Sequence, residues 1–143
     1  MEQTQAEVVE RRIELDAAPE DVWAAVCEPT SWLADEGELD LRPGGEGRLV
    51  DDGVARQVAV ETVEDGRRLV FRWWEEDGGD AGGSRVEVTV VPLAGPTVVM
   101  VREVRLTAPV QASATSRRAR ASAALRWEVR LACLAFVRAP ALV

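Results

Sequence analysis

Two periods of apolar residues divide this chain of 143 residues. Over most of its length apolar and polar positions alternate, the pattern of a strand with one face in a core and the other in water. Val86, Val88 and Val90 set against Arg85, Glu87 and Thr89 show it most cleanly. Near the C-terminus the spacing lengthens to three and four residues, the period of a helix with one buried face.

Read along the chain, the pattern predicts a loose polar tail over residues 1–7 and one domain from 8 to 143. Val8 to Leu15 is a first strand. A helix then opens near Asp16 to Asp21, with Asp or Ala at the cap, Pro19 in the first turn and Glu20 and Asp21 near the positive end of its dipole. It runs to Val26 or Cys27 with Val22 and Val26 on one stripe and Trp23 beside it. Pro29 blocks continuation, so Pro29 to Leu33 forms a second short helix or turn.

A meander of antiparallel strands is predicted next: Glu38 to Arg42, a turn at Pro43 to Gly47, Arg48 to Asp51, and Val54 to Val63. Asp52-Gly53 and Asp65-Gly66 are hairpin dipeptides, the second leading into Arg68 to Glu75. The acidic, glycine-rich run from Glu75 to Gly83 reads as a solvated loop, because it lacks the residue order of a calcium-binding loop. Strands Ser84 to Val91 and Thr97 to Leu106 follow. No Pro or Gly lies between Val110 and Ala139, so a long helix is expected, starting near Ser113 to Arg118 and ending before Pro140. Leu125, Val129, Ala132 and Phe136 form one stripe on it. Trp127, Leu131 and Leu134 form an adjacent one, and together they predict a wide apolar face covered by the sheet.

Composition narrows the chemistry. The hydrophobic share of 47% and charged share of 29% belong to a globular chain, and no apolar run approaches the roughly 18 residues of a membrane span. The acidic, polar N-terminus is unlike an export signal, so a cytoplasmic location is expected. Cys27 and Cys133 read as small buried hydrophobes, not a disulfide.

The chain has no His, Lys, Tyr or Asn, and all 17 basic residues are Arg. The missing types share AT-rich codons, the mark of a GC-rich bacterial genome. Without histidine or lysine there is no Ser-His-Asp or Cys-His pair, no His-containing zinc site and no Schiff base. Carboxylates, a thiol and Arg are what remain for chemistry, and neither cofactor nor metal is expected.

The formal net charge of −8 argues against nucleic-acid binding. Yet Arg117, Arg118, Arg120, Arg126, Arg130 and Arg138 face Glu128 alone in the last 33 residues. The expected reading is a basic helix packed on an acidic body, with guanidinium groups meeting carboxylates; an anion or partner site near Arg117 to Arg120 is the alternative.

The order Val9 to Leu15, Ala18-Pro19-Glu20-Asp21-Val22-Trp23, Trp32, Pro43-Gly44-Gly45, Arg68 to Trp73 and Gly95-Pro96-Thr97 resembles the START-like (SRPBCC) superfamily. Within it, the chain is similar to the branch named after the activator of the ninety-kilodalton heat-shock protein's ATPase. The resemblance implies an α+β helix-grip fold of the Bet v 1 type: a curved antiparallel sheet of six or seven strands packed on a long C-terminal helix, with two short helices after the first strand. It also implies a cavity between sheet and helix. Where relatives place a histidine near the end of the strand after Gly-x-Thr, this chain has Glu103. Either Glu103 takes the polar place in the pocket or the register differs and Arg102 points inward.

Strand parity and helix stripes then name a lining: Phe71, Trp73, Val86, Val88, Val101 and Glu103 from the sheet, with Trp32, Trp127 and Leu131 closing its ends. A mostly apolar lining with few polar groups suits a small hydrophobic or aromatic ligand. Two alternatives are carried forward: an aromatase/cyclase- or hydrolase-type enzyme using Glu103 with Arg102, and a protein-interaction domain that stimulates a chaperone ATPase. The expected partners are accordingly a small apolar molecule or a protein, with no nucleic acid and no membrane, for a monomer or homodimer.

Overall fold

The computed structural model of the chain describes residues 8–77, 83–105 and 125–134. The predicted tail over 1–7, the centre of the acidic loop, the start of the long helix with Arg117, Arg118 and Arg120, and its end with Phe136 and Arg138 lie outside the described residues.

The strands are β1 (Val8–Leu15), β2 (Glu36–Leu39), β3 (Glu46–Asp51), β4 (Val54–Glu64), β5 (Arg68–Glu75), β6 (Ser84–Pro92) and β7 (Thr97–Arg105). They form one antiparallel sheet in the order β1-β7-β6-β5-β4-β3-β2. Consecutive strands from β2 to β7 pair as hairpins, and β1 closes against β7. A bulge at Glu61, between the Val60 and Thr62 pairings, shifts the β4–β5 register; such an insertion sharpens local bend and twist.

After β1 come α1 (Pro19–Val26) and α2 (Pro29–Trp32), followed much later by α3 over 125–134. Pro opens both short helices, where its missing N–H has no intrahelical partner to lose. The α1 cap is Ala18, without a side-chain bond, which decides between the two predicted caps. Buried Thr97 donates its hydroxyl to Ala17 O at 2.7 Å and fastens the start of β7 to the β1–α1 connection.

Alternation decides which face of the sheet is buried. Leu49, Val58, Val60, Leu69, Phe71, Trp73, Val86, Val88, Val90, Val99 and Val101 are all buried in one cluster with Val22 and Val26 of α1 and Trp32 of α2. Each such side chain contributes about 1.5–3 kcal/mol by leaving water, so the face is held by many similar small terms. Asp52 (φ 54°) and Gly53 (φ 77°) both take left-handed angles, the signature of the two-residue turn that matches strand twist.

Three expectations need correction. The strand predicted over Glu38 to Arg42 is β2 at Glu36–Leu39, because residues 40–45 are taken up by a turn in which Arg42 N–H bonds Asp40 O and Gly45 N–H bonds Arg42 O. Gly37 can stand in that strand because a Cβ there would lie 2.1 Å from Arg48 O, a distance only glycine permits.

The wide apolar helix face is narrower than predicted. Trp127, Leu131 and Leu134 are buried, but Leu125 is 61% exposed, Val129 44% exposed and Ala132 also faces water. Arg130, three residues after Trp127, takes the inward position instead, at 4% exposure. Cys133 is exposed and Cys27 half-buried, both as free thiols. Cys133 therefore is not the buried hydrophobe expected, because it lies off the inward stripe.

Candidate functional site

Four strands deliver polar or aromatic side chains to one end of the buried face. On β3 the inward residues are Leu49 and then Asp51; on β4 Arg56 stands opposite Leu49, and Val58 opposite Trp73 of β5. Phe71 pairs with Val86 and Val86 with Glu103 of β7, so these three form a row across the sheet. The next row, Leu69, Val88 and Val101, is wholly aliphatic. Trp127, Arg126 and Arg130 come down from α3, and Trp32 from α2.

Glu103 points inward, in phase with Val99 and Val101, which resolves the register in its favour. Its Oε2 accepts from Trp73 Nε1 at 2.9 Å and its Oε1 from Trp127 Nε1 at 2.8 Å. Both oxygens are thus acceptors, and one carboxylate orients two indoles. The two rings stack with centroids 5.7 Å apart and planes 24° from parallel. Phe71 meets Trp73 edge-on at 5.4 Å, and Trp32 meets Trp127 at 6.2 Å. Trp32 spends its own N–H on Val26 O at 3.2 Å, so it packs on the cluster without drawing on Glu103.

A second polar centre joins helix to sheet. Asp51 Oδ2 accepts from Arg126 Nη2 at 2.7 Å and from Arg130 Nη2 at 2.7 Å and Nε at 3.2 Å. Burial pushes the Asp51 carboxyl up, but the hydrogen bonds from Arg126 and Arg130 outweigh it and hold the group below the usual carboxylate range. For Arg130 the balance reverses: desolvation pulls its guanidinium below the ordinary arginine range, and the bond to Asp51 recovers only part. Arg126, nearer water, is raised by Asp51. The Arg130 guanidinium also lies 4.6 Å from the Trp127 ring centroid and 5.0 Å from that of Trp73, which offsets some of its lost hydration. Arg56 lies 4.7 Å over Trp73.

Every residue named from sequence as lining lies on the inward face. Trp32, Phe71, Trp73, Glu103 and Trp127 meet in one cluster; Val86 stands between Phe71 and Glu103 in the sheet. Val88 and Val101 belong to the aliphatic row, and Leu131 is buried on α3. These side chains pack against one another. Asp51 and Arg56 were missed; Arg126 and Arg130 meet a carboxylate, as expected of a basic helix packed on an acidic body, but were not expected beside the indoles. Parity with Leu49 would have turned Asp51 inward, and the spacing Trp127–Arg130–Leu134 would have put Arg130 on the buried stripe.

Arg102 does not join Glu103. It is exposed on the other face of the sheet, 3.4 Å from Glu10, beside a cleft of about 310 Å³ that includes Glu87, Thr89 and Met100. Among the described residues no group of three acidic or thiol side chains is placed to hold a metal ion, and no described helix is long and apolar enough to cross a membrane.

Residues 16–135 match the family model described as Activator of Hsp90 ATPase homolog 1-like protein. No curated protein sequence matches the chain. Among solved structures, DynU16 from the dynemicin biosynthetic locus superposes with a TM-score of 0.74 at 23% identity, covering 90% of this chain and 46% of that one. The chain thus spans less than half the length of DynU16. MLL2253 from Mesorhizobium loti gives 0.74 at 20% identity, over 94% of this chain and 99% of that one. The Aha1 dimer from Colwellia psychrerythraea gives 0.72 at 13% identity, over 92% and 95%. These likenesses concern the fold. The chain belongs to the Activator of Hsp90 ATPase homolog 1-like family, within the START-like (SRPBCC) superfamily, and has its helix-grip architecture.

Proposed function

We propose that the domain binds a small hydrophobic or aromatic molecule between the sheet and α3, at the end marked by Trp32, Phe71, Trp73, Glu103 and Trp127. The observation that carries this reading is the pair of stacked indoles held by the two oxygens of Glu103. Packing for stability alone gives little reason for such a group, since even a half-buried carboxylate costs some desolvation that apolar packing of the same volume avoids. Aromatic walls with a few convergent polar groups are what ligand sites use to combine affinity with orientation. Glu103 is an acceptor to two donors and is parted from Arg102 by the sheet, which favours binding over acid–base catalysis by that pair.

The test is a titration of the protein with fatty acids, polyketide-like aromatics, flavonoids and steroids, followed by tryptophan emission and thermal unfolding. A saturable change in emission with a rise in Tm for one class is expected, because a ligand bound only to the folded state stabilises it by mass action. A flat response across all four classes sinks the reading.

One observation favours a second reading. Leu125 and Val129 present apolar surface to solvent on the outer side of α3, and the family's description names activation of a chaperone ATPase. If the domain docks on such a chaperone through this face, it should raise the chaperone's ATP turnover, and Val129→Asp should abolish the rise. No stimulation by the unaltered chain would end that reading.

A further inference from the structure

Arg56 is the least explained side chain of the cluster. It is half-buried on the inward face of β4, where its guanidinium lies over the Trp73 ring and repels that of Arg130. Arg126 and Arg130 share the single carboxylate of Asp51, while Glu103 is engaged by two indoles. Glu75, opposite Arg56 across the β4–β5 pair, is solvent-exposed and forms no ion pair with it. Among the described residues the inner cluster sets Arg56, Arg126 and Arg130 against Asp51 and Glu103, in a chain whose formal net charge is −8. The exposed Asp35 and Asp52 add negative charge, but they act on Arg126.

We infer that the ligand is an aromatic anion, its ring taken by the Trp73–Trp127 stack and its carboxylate or comparable acidic group by Arg56. This rests on the reading of the domain as a ligand-binding module and adds the ligand's charge. Arg56 spends its cation on an aromatic face, an interaction weaker at a half-exposed position than a charge-assisted hydrogen bond. A carboxylate arriving with an attached ring offers the guanidinium the better partner and leaves the ring beside the indole face that Arg56 vacates. Half-exposure allows this exchange where the cluster meets water. Arg130 gives Asp51 two of its nitrogens and Arg126 one, so among the described residues Arg56 is the guanidinium of the cluster without a carboxylate partner.

The experiment compares 2-naphthoate with its neutral counterpart 2-naphthamide by titration calorimetry, on the full chain and on the Arg56→Gln and Arg56→Lys variants. The expected result is naphthoate binding about tenfold tighter than the amide, the scale of one charge-assisted hydrogen bond. In Arg56→Gln that preference vanishes while amide affinity is kept; in Arg56→Lys part of it survives. Equal affinity for both compounds in the unaltered protein overturns the anion inference and leaves the binding reading standing. A preference that persists in Arg56→Gln overturns the assignment to Arg56, as does a loss of amide binding in that variant, which would make Arg56 a packing residue. Failure of both compounds to bind the unaltered chain counts against the binding reading itself, and the inference falls with it.

Discussion

Two ends of one buried sheet face are built on different principles. In the row Leu69–Val88–Val101, aliphatic side chains meet through contacts that depend on volume and hardly on direction. Toward the other end, the same strand faces carry Asp51, Arg56, Trp73 and Glu103, and each is held by a directed bond or a ring contact to a named partner. The aliphatic end can exchange one apolar residue for another at modest cost. The polar end cannot, because a donor or charge left there without its partner bears its full desolvation penalty.

The sharpest way to break this contrast is at Asp51. Asp51→Ala strands Arg130 as a buried guanidinium and should destabilise the domain by about 3–5 kcal/mol in urea denaturation. Combining Asp51→Leu with Arg130→Met should recover most of that loss, since a well-packed apolar pair can match a buried ion pair. A single-variant loss under about 1 kcal/mol would mean the pair is solvated in practice and the two ends are alike.

At the aliphatic end, Leu69→Ala should cost about 2–5 kcal/mol by cavity formation. Leu69→Met should cost less than about 1.5 kcal/mol, as volume-conserving exchanges do. Similar losses for both would show that directional packing extends to this row as well.

Glu103→Gln keeps the shape of the side chain but provides one carbonyl acceptor for two indole donors. The expected loss is about 1.5–3 kcal/mol, the scale of a hydrogen bond to a charged group, with altered tryptophan emission as the independent reading. Unchanged emission would detach Glu103 from the indoles.

Acid should separate the ends without mutation. The folded Asp51 carboxyl lies below its ordinary value, so its contribution is complete above the unfolded pKa of about 4 and is lost as pH falls through the lower folded value. Stability attributable to Asp51 should therefore hold down to about pH 5 and decline below the unfolded value. The Leu69→Ala variant should keep that decline, and the Asp51→Leu/Arg130→Met pair should lose the part due to Asp51. The smallest effect belongs outside both ends: Val129→Gln, on the exposed side of α3, should change stability by less than about 0.5 kcal/mol.

Much of the fold was legible before any tertiary information. The bounds of β1 and β5 agree with the strands expected from alternation, and the Asp52-Gly53 turn has the predicted left-handed pair of angles. Strand β2 was misplaced because Gly37 in its interior discourages an extended reading; its φ of 131° and the close approach of Arg48 O explain the glycine. For the candidate site, the aromatic members and Glu103 followed from parity. The arginines did not: guanidinium groups of the last helix were expected to meet carboxylates, but no local pattern names Asp51 as the partner of Arg126 and Arg130 or places Arg56 over Trp73.

The sequence by itself determined which side of most strands enters the core, with β7 left open between Glu103 and Arg102, as well as the two Pro-initiated helices and the family. These rest on local periods and turn chemistry that a chain carries within a few residues. Only the tertiary structure decided which stripe of α3 turns inward and which charges sit beside the indoles. Asp51 and Arg130 stand 79 positions apart, and burying that arginine is tolerable only where the end of β3 supplies a carboxylate. Leu125 and Val129 then face water even though they are apolar. The rotation of α3 is a balance between apolar burial and ionic pairing across the whole domain, and no local pattern contains it.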